Sequence, residues 1–153
     1  MKKKIFIMVC GLTALGLSIV GYFNYYADQK ESQYLTTAVP YVKMVIPELS
    51  KWDPVIARQH MSAAFMQEIS AENFDKVSRA MSQLGVLQEM DEPRFGEIYS
   101  GDTPGGEKQT IISYLVDARY ATGDAKITLG LIDNAGAFKV YRFNVESEAL
   151  AQH

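Results

Sequence analysis

Few side chains in this sequence could do acid–base chemistry, and the best placed are His60, Asp117, Tyr114 and Tyr120. A general acid or base must lie within hydrogen-bond reach of its substrate. Asp117 lies between the two tyrosines in a segment with strand periodicity, but its odd position puts it on the opposite face from both. We expect Asp117 to form an ion pair with Arg119 or across strands, and we expect no catalytic residue. His60, Tyr114 and Tyr120 remain the residues that could line a pocket.

The sequence offers no metal-binding or cofactor motif. Its only cysteine is Cys10, and its second histidine is the terminal His153, so a zinc site lacks ligands. Asp91 and Glu92 are adjacent but lack the spacing of a calcium loop. The glycine-rich stretch 101–108 has neither the GK[ST] ending nor the strand-to-helix context of a phosphate loop. We therefore expect no metal and no cofactor.

The segment Ile5–Phe23 contains 19 residues and no charge. A helix of that length spans about 28 Å, close to the hydrocarbon thickness of a bilayer. Lys2, Lys3 and Lys4 precede it, so the positive-inside rule puts the N-terminus in the cytoplasm. This pattern predicts a single-pass anchor in a bacterial inner membrane, with the rest of the chain in the periplasm.

A cleaved signal peptide is the alternative for this segment. Cleavage requires small residues in an A-x-A-like pattern. Ala27 could precede a cut, but Tyr25 would then occupy a position that needs a small side chain. The sequence favours the uncleaved anchor without excluding the signal peptide.

The predicted anchor also carries a row of small residues, Gly11, Ala14, Ser18 and Gly21. Their spacing of 3, 4 and 3 puts them on one helical face. Small residues let helices approach closely in lipid. We expect this face to pack against a membrane protein or a second copy of the anchor.

The charge of the chain limits its partners. The net charge is −3, and all 18 acidic residues but only 12 of the 15 basic ones follow Ala27, which gives that part −6. An acidic domain argues against nucleic acid and against an anionic membrane surface as partners. We divide the chain into an anchor (1–27), a connecting helical segment (28–52), an α+β domain (53–147) and a tail (148–153).

Three helical stretches are predicted before the strands. Residues 34–52 have helical periodicity interrupted by Pro40 and Pro47, which favours a kinked helix or two short ones. Asp53-Pro54 is a helix start, and that helix should continue to about Glu68. Ser70 caps a further helix that ends at Gly85. The residues expected to be buried on the last two helices are Ala57, Met61, Ala64, Phe65, Phe74, Val77, Met81 and Leu84.

The second half of the domain has strand periodicity. The even positions of Gln109–Ala121 are apolar or aromatic, which makes them the core face. Turn signals follow at 122–124 and 133–136, so we expect an antiparallel meander. Helices followed by antiparallel strands are typical of an α+β fold. The predicted strands are 86–90 and 95–99, divided by Pro93, then 109–121, 125–132 and 138–145.

The tail from Ile112 to Ser147 resembles the closing hairpins of the cystatin-like, nuclear transport factor 2-like superfamily. The resemblance is carried by Gly136, Phe138, Lys139, Val140 and Tyr141 and by the preceding helix that ends in Leu84-Gly85. The family commonly has tryptophan where this chain has Phe138. The resemblance implies helices packed on a curved four-stranded antiparallel sheet that encloses a cone-shaped pocket.

Two functions follow as expectations. The first is a membrane-anchored periplasmic domain that binds protein, as an accessory or assembly subunit of an inner-membrane complex. The second is a small-ligand-binding protein or an isomerase- or dehydratase-like enzyme, since some members of the superfamily use the cone in that way. A filled cone would favour the first function, and a polar cavity open to water would favour the second.

Overall fold

The structure is a computed structural model, and it describes residues 29, 31–102 and 106–151. The predicted anchor Ile5–Phe23 lies outside these residues. Among the residues described, no helix is long and apolar enough to cross a membrane. The chain divides into two compact units, Met1–Thr36 and Thr37–His153. The elements are α1 (31–49), α2 (Pro54–His60), α3 (Ala63–Glu68), α4 (Ala71–Met81), β1 (Leu87–Met90), β2 (Arg94–Asp102), β3 (Lys108–Tyr120), β4 (Gly123–Asn134) and β5 (Ala137–Glu146), with short 3-10 turns at Ser82–Leu84 and Glu148–Leu150.

The strands form one open antiparallel sheet in the order β1-β3-β4-β5, and β2 also pairs with β3. Because β4 occupies one side of β3, β1 and β2 lie one after the other along its other side. The predicted α+β class and antiparallel meander are confirmed. The sheet has five strands rather than four, because residues 91–93 interrupt the first strand and Pro93 lacks the N–H that a ladder needs.

The predicted core face of the sheet is confirmed. All five even positions of β3 from Ile112 to Tyr120 are buried, and so are Ile127, Leu129 and Leu131 on β4. Val42, Val45 and Ile46 of α1 are fully buried as well. The ring of Tyr41 on α1 lies 5.8 Å from that of Phe138 on β5.

A second, smaller apolar cluster lies on the other face of the sheet, where sequence periodicity did not predict one. Ile111 on β3 and Ile132 on β4 are buried there with Ala64 of α3. Tyr99 and Tyr141 pack against them. Helix α3 therefore covers one end of the face that was expected to be solvated.

Helix α1 is continuous from 31 to 49 and includes both Pro40 and Pro47, so two short helices do not form. Each proline removes one backbone donor and costs about 3 kcal/mol inside a helix. Burial of Val42, Val45, Ile46 and Leu49 at helical spacing offsets that cost, since each buried aliphatic side chain contributes about 1.5–3 kcal/mol.

The predicted helix from Asp53 to Glu68 is wrong, because the chain breaks it at Met61 and Ser62. Both residues are extended, and Met61 forms a parallel bridge with Val140 on β5. The Ser62 N–H donates to the Val140 carbonyl at 2.8 Å, and the Ser62 hydroxyl accepts from the Phe65 N–H at 3.1 Å. Pairing with the edge of β5 thus interrupts the helix, and Ser62 caps the start of α3.

Helix α4 begins as predicted, with the Ser70 hydroxyl accepting from the Asn73 N–H. Phe74 is buried, and Leu84 is buried in the 3-10 turn that follows. Val77 was expected to be buried too, but it is 48% exposed. Gly85, where this helix was predicted to end, has a positive φ of 77°, and a Cβ there would lie only 2.9 Å from the Ala121 Cβ.

Candidate functional site

The candidate pocket residue Tyr114 is enclosed by other side chains of the sheet. Tyr114 is fully buried, and its ring meets that of Phe95 edge to face at 6.0 Å. Its Cα partner on β4 is Leu129, which is also fully buried. Tyr114 therefore belongs to the packed core of the described domain.

Tyr120 is held by specific contacts at the other end of β3. Its hydroxyl shares a hydrogen bond of 2.8 Å with that of Ser50, which is also buried. The Trp52 ring lies 5.5 Å from the Tyr120 ring, and the Trp52 Nε1–H donates to the Gly85 carbonyl at 2.8 Å. Burial raises the pKa of Tyr120, and the hydrogen bond with Ser50 acts in the opposite direction. This arrangement keeps the phenol neutral and satisfied.

The raised pKa of Tyr120 predicts a loss of stability in alkali. A phenol whose pKa is raised by folding stabilises the native state below its unfolded pKa of about 10, and this contribution is lost as pH rises through the folded pKa. We expect the free energy of unfolding to fall as the pH rises above about 10. Tyr120→Phe should reduce that fall, while costing about 1 kcal/mol at pH 7 through the lost hydrogen bond. Urea denaturation across this pH range measures both, and an unchanged pH dependence in Tyr120→Phe would contradict the assignment.

His60 is the last residue of α2 and is half-buried. The next residue, Met61, pairs with Val140 at the edge of β5, and the Gln59 carbonyl accepts from Lys139. The structure does not join His60 to Tyr114 or Tyr120 by a hydrogen bond or ring contact. The grouping of these three residues in one pocket stays a prediction.

A different concavity, of about 1130 Å³, lies where β1, β3, β4 and β5 meet the 3-10 turns. We call it the end concavity. Neither His60 nor either candidate tyrosine lines it. Its charged lining residues are Glu89, Asp91, Asp117, Arg119, Asp124, Lys126, Glu146 and Glu148.

Some of these charged side chains form ion pairs. Asp117 accepts from Arg94 of β2 at 2.6 Å, and Arg119 pairs with Asp124 at 3.1 Å and with Glu89 at 3.7 Å. Ion pairs were predicted for both residues, and the structure gives each a cross-strand partner instead of joining them to each other. Exposed pairs of this kind contribute about 0–1 kcal/mol each. They therefore add little to the stability of the fold.

The chemistry available in the end concavity is limited. Among the residues described, no group of three or more histidine, cysteine, aspartate or glutamate side chains could hold a metal ion. Small-molecule sites usually measure about 300–1,000 Å³ and are lined by apolar and aromatic side chains. The end concavity is larger, and its lining includes six carboxylates and no aromatic residue. These properties suit contact with a macromolecule better than enclosure of a small ligand.

Sequence reasoning did not find the end concavity, because its lining comes from residues 83–151 and no local motif marks it. Comparison with known proteins adds no family to this description. No protein-family model matches the chain, and no curated protein matches it.

Proposed function

We propose that this protein is a single-pass, membrane-anchored periplasmic domain that binds another protein and performs no chemistry. It would act as an accessory or assembly subunit of an inner-membrane complex. The observation that carries the proposal is the burial of the candidate pocket residues Tyr114 and Tyr120 and of Leu129 on the neighbouring strand, each at most 1% exposed. This burial supports a domain that acts through its surface.

The location rests on sequence. The uncharged segment Ile5–Phe23 has the length of a membrane helix and follows three lysines, which supports an N-terminus in the cytoplasm. The small-residue row of Gly11, Ala14, Ser18 and Gly21 supports packing against another helix in the membrane. The domain from Asp28 onward would then lie in the periplasm.

The surface proposed for recognition is the end concavity. Seven of its eight charged side chains are exposed, and six of the eight are carboxylates. Polar, charged and open surfaces of this kind occur at the rims of non-obligate protein interfaces. The α+β order also supports a cystatin-like fold, in a form whose cone is closed by its own side chains.

The alternative function is ligand binding or isomerase-like catalysis inside the cone. It requires a polar group open to water in that space, with His60, Tyr114 or Tyr120 as the acid or base. Two of these residues are fully buried and held by neighbouring side chains, and His60 lies at the end of α2 near the edge of β5. These contacts favour the binding function.

The topology is tested with reporters fused after His153. A reporter that is active only in the periplasm should work, and one that fluoresces only in the cytoplasm should stay dark, because the lysines hold the N-terminus inside. The opposite pattern would contradict the orientation.

Mass and co-purification test the rest of the proposal. The mature mass should equal that of the full chain, apart from Met1, and a loss of about 25 residues would indicate a cleaved signal peptide instead. Purified from its own membrane in mild detergent, the chain should retain a stoichiometric second protein. A chain that purifies alone would contradict the binding function.

A further inference from the structure

The outer edge of β5 is free over five residues. Along this edge, β5 pairs within the described residues only with Met61, which bridges Val140. Tyr141 donates its hydroxyl to Glu68 of α3, and the strand ends at Glu146. Between residues 142 and 146, the backbone groups that point away from β4 therefore have no partner within the described residues. A free strand edge is a template for pairing with another strand.

The free stretch is regular, unlike the other edge of the sheet. Residues Arg142 to Glu146 pair with β4 in continuous register, from Gly130 to Lys126. The opposite edge is formed largely by β2, whose register shifts between Phe95 and Ile98. Such an irregularity bends an edge and opposes strand addition. The regular β5 edge is thus the better template.

We infer that a second copy of this chain adds its own β5 to this edge, antiparallel and about a two-fold axis at Asn144. Asn144 is the midpoint of the free stretch, so pairing about it uses all five residues. A two-fold interface places residues equally distant from the axis opposite each other. Arg142 of each copy then lies opposite Glu146 of the other, and the two sheets become continuous.

The side-chain sequence of the edge is complementary to itself in this register. Arg142, Asn144 and Glu146 share one face and are exposed, so the pairing joins Arg with Glu twice and Asn with Asn once. On the other face, Phe143 would meet Val145 of the second copy. Opposite charges and aromatic–β-branched pairs are favourable cross-strand neighbours, whereas like charges directly opposite are unfavourable.

Charge on an edge strand ordinarily prevents pairing. Here the two charges have opposite signs and equal distances from the midpoint, so antiparallel pairing neutralises both. In the part of a single copy that the structure describes, Glu146 accepts only from its neighbour Asn144, at 3.1 Å, and its Cα partner on β4 is Lys126. Arg142 forms no ion pair among the residues described and is available to the second copy.

Five residues make a small interface, well below the 1,200 Å² typical of stable soluble complexes. The proposed membrane anchor would compensate, because confinement raises the effective concentration of one copy around another. The pairing is therefore expected in the membrane-embedded full chain.

Single cysteines in a Cys10→Ser background test the register. In native membranes, Asn144→Cys should form a disulfide-linked dimer in more than half of the chains under mild oxidation, because directly opposite Cα atoms lie about 4.5–5.5 Å apart. Arg142→Cys and Glu146→Cys should each give under one tenth as much, since each lies about 13 Å along the strand from its own counterpart. Co-expression of those two variants should restore the cross-link. The control Thr128→Cys, one strand further in on the same face, should remain monomeric.

Charge exchange tests the same pairing without cysteines. Arg142→Glu should lower the dimer fraction, measured by energy transfer between labelled copies in vesicles, at least fivefold. Adding Glu146→Arg to that variant should restore it, and Arg79→Glu on α4, with the same charge change, should have no effect. The inference is overturned if folded Asn144→Cys stays monomeric, if Arg142→Cys cross-links to itself as readily, or if the double charge exchange fails to restore pairing. Retention of another protein in detergent is measured on the unchanged chain, so the proposed function is tested separately from these variants.

Discussion

Leu129→Asp is expected to unfold the domain. Leu129 is fully buried at the centre of β4, with Tyr114 on β3 and Phe143 on β5 as its Cα partners. An unpaired carboxylate in that position costs several kcal/mol, and the lost leucine packing adds about 2–5 kcal/mol. Domains of this size are stable by only about 5–15 kcal/mol, so little stability should remain. Circular dichroism on heating would show no cooperative transition.

Leu115→Asp is the matched control for that change. Leu115 lies on the neighbouring strand, but on the other face of the sheet, and is 42% exposed. The same substitution there adds a carboxylate in contact with water, so the melting temperature should change by no more than a few degrees. A cooperative transition in Leu129→Asp close to that of the unchanged chain would contradict the assignment of the core face.

The core face could be predicted because it depends on local alternation. In β3, every even residue from Ile112 to Tyr120 is apolar or aromatic, and a strand with one face in the core must show that pattern. The helix N-caps could be predicted for the same reason, because each depends on residues close in sequence. Asp53 accepts from the Val55 N–H and Ser70 from the Asn73 N–H, within three residues in each case.

The features that the sequence did not predict all depend on contacts between distant residues. The break at Met61 arises because Val140, 79 residues later, offers a backbone partner at the edge of β5. Ile111 lies on the odd face of β3, which alternation predicts to be exposed. It is buried because α3 covers that end of the sheet. Val77 has helical spacing with Phe74 and Met81 on the apolar side of α4, yet it is 48% exposed.

The candidate site was predicted least well, for the same reason. Asp117 and Arg119 were expected on one face with ion-pair partners, and they have them, but the partners Arg94 and Asp124 are fixed by strand register. The grouping of His60 with Tyr114 and Tyr120 as a possible pocket came from the family resemblance and stays a prediction. The end concavity comes together only when β1, β3, β4 and β5 are assembled.

Site-specific photocross-linking tests the binding function most directly. A photoreactive residue in place of Asp91, which follows β1, or of Glu148, in the 3-10 turn after β5, should cross-link the full chain in its native membrane to one discrete partner. Cross-linking requires only proximity, so a weak or transient complex is captured. The reference position is Glu72 on α4, which is exposed and does not line the end concavity.

The proposal predicts one ultraviolet-dependent product, shared by the Asp91 and Glu148 positions and absent from Glu72, in which mass spectrometry identifies a protein other than this chain. The absence of any product from both Asp91 and Glu148, or the same products from Glu72, would contradict it.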